Sequence, residues 1–317
     1  MSFAFVFPGQ GSQAVGMGQA LAADFASARA VFQEVDEALG QDLSALMANG
    51  PIEELTLTTN AQPALMAASL AVMAVLKTEF DIDVSAGSYV AGHSLGEYSA
   101  LAAAGSLTIT DAAKLLKLRG QEMQKAVPVG QGTMAALLGA DEPLAMQAVT
   151  AGRVKGVCQI ANDNAPGQIV ISGAVAAIDA AIAEAESLGL KKAMKLPVSA
   201  PFHCEMMQPA ADAMAQALAD ATLLAPKVPL VANVTARPCS DPEVIRKQLV
   251  EQVTGRVRWR ESVLWMVGEG GVDKLAEAGS GKVLTTMLKR TTKDAKGVPL
   301  NAADNLEAFA ASLKGDA

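Results

Sequence analysis

Ser94 lies in Gly92-His93-Ser94-Leu95-Gly96, a G-x-S-x-G frame between an apolar run and an alanine-rich stretch. That frame sets a serine on a tight strand-to-helix turn with its hydroxyl presented outward. A serine hydroxyl at its ordinary pKa is a poor nucleophile and needs a base beside it, most often histidine. The chain has two histidines. His93 is the immediate neighbour of Ser94 on a sharp turn, so its side chain is directed away from the hydroxyl. His203, in Pro201-Phe202-His203-Cys204, is the candidate base. The competing readings are an ordinary glycine-rich turn for Ser94 and a satisfied structural histidine for His203. Cys204 has no thiolate-stabilising pair beyond His203 and is assigned to packing.

Arg119 enters through periodicity. On a helical wheel Ala112, Leu115, Leu116, Met123 and Ala126 share one face, and Arg119 falls in the middle of it. Lys114, Lys117, Gln121 and Lys125 take the opposite face. A guanidinium on an apolar stripe is costly unless it meets an anion. Two partners fit: a structural Asp or Glu elsewhere in the chain, or a substrate carboxylate held bidentately.

Two glycine motifs are decoys. Gly9-Gln10-Gly11-Ser12-Gln13-Ala14 follows a strand, as a dinucleotide-binding loop does, but the chain then reads as helical through Leu39 instead of returning to a second strand. Its glycines are better suited to bringing backbone N–H groups near an oxyanion. Gly281-Lys282 lacks the glycine and the hydroxyl residue of a P-loop. No Cys, His, Asp and Glu cluster has metal-ligand spacing, so neither metal nor cofactor is expected.

Elements must position these groups. Strand 3–7 is followed by a helix over 20–39 and a helix over 64–76 opened by Asn60-Ala61-Gln62-Pro63. Strand 88–91 feeds the serine turn, a helix begins at Glu97, and Thr110-Asp111 caps a helix over 112–127. After a linker at 127–132 the order changes: strand 133–138, helix 142–149, strand 157–161, a turn cluster at 162–167, strand 168–172, helix 175–188 and strand 192–196. This βαββαβ order is the ferredoxin-like unit. The α/β pattern then resumes with helix 209–218, strand 229–234, helices 242–254 and 259–267, strand 272–276 and helix 282–288, and residues 314–317 fray. The fold expected is an α/β-hydrolase-like large domain, residues 1–128 and 199–317, with an inserted ferredoxin-like small domain, 129–198.

The chain of 317 residues is 51% hydrophobic and 18% charged, which excludes disorder and predicts a substantial core. Aromatics are 4%, so Ala, Leu, Val and Met must build it. No uninterrupted apolar run reaches the roughly 18 residues of a bilayer span. The opening MSFAFVFPGQG has no basic residue and is not a secretory signal. Cys158, Cys204 and Cys239 are read as free thiols in a reducing cytoplasm. A net charge of −8 argues against nucleic-acid binding, and no membrane partner is expected.

With these residues in view, the chain resembles the malonyl-CoA:acyl carrier protein transacylases of bacterial type II fatty acid synthesis. The resemblance runs nearly end to end. It rests on Phe7 to Gln13, on Gly92 to Tyr98, on Leu118-Arg119-Gly120 and on Asn162 to Gln168. Val198 to His203, Gln252 and Gly279 to Leu284 complete it. It implies ping-pong transfer of malonyl from malonyl-CoA through Ser94 to the phosphopantetheine thiol of acyl carrier protein. It implies His203 as base, oriented by a backbone carbonyl near Gln252, and the amides of Gln10 and Leu95 as oxyanion hole. Arg119 would grip the malonyl carboxylate. Gln252, Phe202, Met123 and Asn162 would complete the substrate site. Phe202 is serine in some members, and its ring would crowd the acyl α-carbon, favouring malonyl over methylmalonyl. No cofactor is implied, and a monomer is expected. Carrier proteins of this pathway are acidic, so docking calls for a local basic surface: Lys191, Lys192 and Lys195, or Lys289, Arg290 and Lys293.

The rival readings are a serine hydrolase (esterase or patatin-like lipase) and a catalytically silent carrier-protein-binding module; a stand-alone polyketide acyltransferase is a variant of the main reading. A patatin-like site needs an Asp-Gly-Gly run, which the chain lacks. A hydrolase triad would hold His203 with Asp or Glu.

Overall fold

The computed structural model describes residues 2–315. The chain opens with β1 (Phe3–Phe7), all five side chains buried, as suits a strand covered on both faces. The expected single helix over 20–39 is two, α1 (Gln19–Asp24) and α2 (Ala26–Leu39). Phe25 between them is extended, its N–H donating to Leu21 O and its O accepting from Arg29 N. Both backbone groups of Phe25 are therefore satisfied at the break. Two helices too short to show periodicity follow, α3 (Leu43–Asn49) and α4 (Ile52–Thr56).

Helix α5 (Thr58–Phe80) starts before the expected residue 64 and carries Pro63 inside it. Proline there removes one helical hydrogen bond, a loss offset by burial. By length and composition α5 could cross a membrane, but 72% of its apolar window is buried inside the protein. It is the central core helix, packed between α2 and α7 (Ile109–Ala126). Strand β2 (Tyr89–Gly92) and helix α6 (Gly96–Ala103) carry the serine turn between them. The cap of α7 is Thr108 rather than Thr110-Asp111: Thr108 Oγ1 accepts the Asp111 N–H at 3.0 Å, while Thr110 Oγ1 donates to Glu34.

A second sheet follows: β3 (Gly132–Leu138), α8 (Glu142–Arg153), β4 (Cys158–Ala165), β5 (Gln168–Ala174), α9 (Val175–Ser187) and β6 (Lys192–Lys195). Its strands are antiparallel in the order β4-β5-β3-β6. It has its own core around Leu137, Val149, Ile171 and Ile178. The turn expected over 162–167 shrinks to Pro166-Gly167, because β4 runs on through Ala165 with two register shifts. These polar residues tolerate a strand because another segment satisfies them. The Asp163 N–H donates to Val257 O at 3.0 Å, and the buried Asp163 carboxylate meets Arg256 at 2.8 Å and Arg260 at 2.7 Å.

The chain then returns to the first sheet through α10 (Gln208–Asp220), β7 (Leu230–Val231), β8 (Pro238–Cys239), α11 (Pro242–Thr254), α12 (Trp259–Val267), β9 (Lys274–Ala278), α13 (Val283–Thr291), β10 (Lys296–Leu300) and α14 (Ala303–Lys314). The six strands run β10-β9-β1-β2-β7-β8, with only β7 and β8 antiparallel. The strand expected over 229–234 keeps two residues, since Asn233 turns away to bind the serine turn. The strand expected over 272–276 sits two residues later, where Lys274 to Glu277 pair Phe3 to Val6. Strand β10 and helix α14 were not legible. The strand is an edge with Lys296, Gly297 and Pro299, a composition that hides it. Of the segment expected to fray, Lys314 closes α14 and residues 316–317 lie outside those described. The protein is thus mixed α/β, with one mainly parallel and one antiparallel sheet.

Candidate active site

The serine turn is built by close packing of backbone. A side chain on Gly92 would put a Cβ 1.9 Å from the Gly96 carbonyl carbon, and one on Gly96 would sit 2.3 Å from Phe7 O. Only glycine fits both places. Ser94 itself adopts φ 52°, the left-handed region rare for a side chain of this kind. Asn233 holds it there: its Oδ1 accepts the Ser94 N–H at 2.8 Å and its Nδ2 donates to Gly92 O at 2.7 Å.

His203, buried and also at positive φ, reaches Ser94 across the site. Its Nε2 is 2.8 Å from Ser94 Oγ, and its Nδ1 is 2.8 Å from Gln252 O. A carbonyl only accepts, so Nδ1 carries the proton and Nε2 is free to take one from the serine. Burial, and then the neighbouring Arg119 charge, push the His203 pKa down to about 3. His93 points elsewhere. Its Nε2 lies 2.8 Å from Asn164 Oδ1, and its ring stands edge-on to Trp259. Cys204 is buried, its thiol donating to Pro201 O at 3.1 Å.

Arg119 is buried, and its partners are amides. Nη1 donates to Gln62 Oε1 at 2.7 Å; Nη2 donates to Gln252 Oε1 at 2.8 Å and to Ser94 Oγ at 3.2 Å. Among the described residues no carboxylate lies within ion-pair distance of it. Burial lowers its pKa, while Tyr98 and the nearest acid, Glu97, oppose that. The Tyr98 ring centroid lies 5.9 Å from the guanidinium. The structural acid that sequence reasoning allowed as a partner is therefore not in contact among the described residues, and a cation faces the Ser94 hydroxyl.

Ser94, His203 and Arg119 open on a cavity of about 340 Å³, whose lining also includes Gln10, Leu95, Met123, Asn162 and Phe202. Gln10 lies at its exposed edge, where its Oε1 accepts from Thr58 Oγ1 at 3.1 Å. Among the described residues neither the Gln10 nor the Leu95 N–H has an acceptor within the protein. Gln252 does not itself line the cavity; its carbonyl seats His203 and its side chain seats Arg119.

Sequence reasoning missed Gln62, Asn233 and Glu97. Gln62 lies in a segment read as a helix start. Asn233 lies in one read as a strand. The only signal for Glu97 was its place directly after the glycine frame. Together the groups have the chemistry to activate a serine hydroxyl, accept an acyl group on it, and hold an anion on that acyl group by charge-assisted hydrogen bonds.

The acyl transferase domain family matches residues 4–307. The malonyl CoA-acyl carrier protein transacylase of Escherichia coli (strain K12) is 44% identical over 299 residues, 94% of this chain and 96% of that protein. The crystal structure of an acyl-carrier-protein-S-malonyltransferase from Bartonella henselae superposes with a TM-score of 0.96 at 52% identity, covering 99% of this chain and 100% of that one. A malonyl-transacylase solved in complex with its type II PKS acyl-carrier protein gives 0.95 at 40% identity, covering 98% of this chain and 100% of that one.

Proposed function

This chain belongs to the acyl transferase domain family and to its malonyl CoA-acyl carrier protein transacylases, and from that premise we propose that it carries malonyl from coenzyme A to a carrier-protein thiol through a malonyl-Ser94 ester. The Ser94 hydroxyl gives its proton to His203 Nε2 as Oγ attacks the thioester carbonyl. The N–H groups of Gln10 and Leu95 take the oxyanion. The intermediate collapses, the C–S bond breaks, and the leaving thiolate takes the proton from His203. The phosphopantetheine thiol of acyl carrier protein then repeats the sequence in reverse: His203 takes its proton, its sulfur attacks the ester, and Ser94 Oγ leaves and is reprotonated.

The observation that carries this reading is Arg119, a buried cation with no carboxylate partner among the described residues, 3.2 Å from the Ser94 hydroxyl. A malonyl carboxylate would complete it, whereas an acetyl group would leave it as it is. His203 is held by a carbonyl and not by Asp or Glu, which separates the site from a classical hydrolase triad. The test is incubation with malonyl-CoA followed by intact mass and peptide mapping. A malonyl adduct on Ser94, absent from Ser94→Ala and discharged by a thiol faster than by water, is the expected result.

The rest of the reading follows. The residues 1–128 and 199–317 form an α/β-hydrolase-like domain, supported by a mainly parallel sheet with the serine turn at the end of β2. The residues 129–198 form a ferredoxin-like domain, supported by its βαββαβ order and its β4-β5-β3-β6 strand arrangement. The transfer draws every reacting group from the chain and its thioester and thiol substrates, so no cofactor is called for. Three free cysteines accord with a cytoplasmic setting and a role in fatty acid synthesis. Chain neighbours of both basic clusters line the cavity, Leu196 to Val198 just beyond β6 and Val283, Leu284 and Met287 on α13, which supports either cluster as a docking surface.

A further inference from the structure

Glu97, in the first turn of α6, is buried among groups that serve the site without touching the cavity. One carboxylate oxygen accepts the Asn233 N–H at 3.0 Å, and the other accepts Gln252 Nε2. A carboxylate only accepts hydrogen bonds. Gln252 must therefore turn its NH2 toward Glu97, which leaves its Oε1 facing Arg119 Nη2 at 2.8 Å. The same NH2 donates to Ser94 O at 2.9 Å, so two acceptors agree on the orientation.

We infer that Glu97 is a positioning residue: by fixing which way the Gln252 amide faces, it seats the Arg119 fork beside Ser94 and sets the preference for a carboxylated acyl group over a neutral one. The inference rests on the reading of Ser94 as the malonylated nucleophile. It separates the two arms of the network. The Asn233 arm braces the serine turn for any acyl group. The Gln252 arm matters to the substrate that binds Arg119.

Glutamine at this position tells the arms apart. In Glu97→Gln one acceptor becomes a donor. The Asn233 N–H belongs to the backbone and cannot turn over, so the new amide keeps its oxygen there and points its NH2 at Gln252. Gln252 then faces donor to donor, or flips and sets its oxygen against Ser94 O and its NH2 against Arg119. Either way the seat of the guanidinium is disturbed, while Asn233 keeps its two bonds to the serine turn.

Protonation of Glu97 imposes the same conflict without a mutation. Burial raises its pKa to about 7. Around it stand Tyr98 on its own helix and Arg119 on α7, with His203 beyond Arg119. The Tyr98 pKa is pushed up by burial and that of His203 is pushed down to about 3, so neither titrates near neutrality.

The experiment measures kcat/KM for Ser94 acylation by malonyl-CoA and by acetyl-CoA. Glu97→Gln is expected to lower the malonyl value by about tenfold or more and the acetyl value by less than about threefold. Glu97→Asp, which keeps the carboxylate, should recover most of the loss. In an Arg119→Ala background Glu97→Gln should cost malonyl nothing further. In the wild type the malonyl-to-acetyl ratio should fall as pH drops from about 8 to about 6. Equal losses for both substrates, or none, would overturn the inference. If Glu97→Gln does not fold, a wild-type ratio that stays flat with pH overturns it instead. A wild type that never acquires malonyl on Ser94 refutes the proposed function itself, a separate readout from these ratios.

Discussion

The carbonyl oxygen of Gln252 accepts the Nδ1 proton of His203 at 2.8 Å, while the side chain of the same glutamine accepts from Arg119 at 2.8 Å. One residue on α11 thus orients both the imidazole and the cation that flank Ser94. The backbone carbonyl does the orienting work that a carboxylate does in a Ser-His-Asp triad. It adds no negative charge, so its hydrogen bond raises the His203 pKa by less than burial and the Arg119 charge lower it.

His203→Ala should lower Ser94 acylation about 10²–10⁴-fold, the usual worth of a positioned general base. Stopped-flow or quenched mass measurement of the adduct checks it. An unchanged rate would assign the activation of Ser94 to another group.

Arg119→Ala should cost malonyl-CoA about 10- to 150-fold in kcat/KM, the loss of one charge-assisted hydrogen bond. Acetyl-CoA should hold its rate or gain, since it leaves the buried guanidinium unanswered. Lysine at this position should restore only part of the malonyl rate, because a point charge cannot reproduce the planar fork that now spans Gln62, Gln252 and Ser94. A ratio unmoved while both rates fall would make Arg119 structural.

The low His203 pKa predicts a base already neutral throughout the physiological range, so acylation should not follow a titration near 6.5. The same shift bears on stability. Below the unfolded value of 6.5 the unfolded chain takes up a proton that the native chain refuses, so stability is present above that pH and lost as pH falls toward about 3. At about pH 5 the loss is about 2 kcal/mol. Denaturant titrations at about pH 7 and about pH 5 should show a smaller pH dependence for His203→Gln than for the wild type.

Asp163, fully buried on β4, is shared by Arg256 and Arg260, and both arginines also reach Glu142 on α8, at 2.6 and 3.7 Å. This cluster fastens the antiparallel sheet to the segment that runs from α11 into α12. Asp163→Ala should lower unfolding free energy by about 3 kcal/mol, because the arginines keep their charge and lose their buried partner. A loss of unfolding free energy in urea titrations smaller than about a third of that would show that Glu142 alone suffices.

Reversing Lys289 and Arg290 on α13, or Lys191 and Lys192 before and in β6, should raise KM for carrier protein and steepen with falling salt, leaving malonyl loading of Ser94 alone. Lys195 is a weaker contributor, since its Nζ is paired with Asp179 at 2.6 Å. Equal KM for both reversals and the wild type would remove these surfaces from docking.

The serine turn, the histidine beside it and the buried arginine were legible in the chain because each is a local, periodic or compositional signal. Glycines at 92 and 96 mark a turn that only they fit, His203 is one of only two histidines, and Arg119 interrupts an apolar helical face. The alternation of strands and helices likewise exposed two α/β units, since burial on a sheet or helix face writes its own period into the sequence. What stayed hidden was everything held by long-range polar contact. Asn233 reads as the end of a strand, Asp163 as a turn residue and Gln62 as a helix opening, and each is recruited by partners at least 57 residues away in the chain. The partner of Arg119 could be named only as an anion. The tertiary structure supplied two amides and the Ser94 hydroxyl in its place, because hydrogen-bond geometry across α5, the serine turn, α7 and α11 is set by how the elements pack and not by any spacing along one of them.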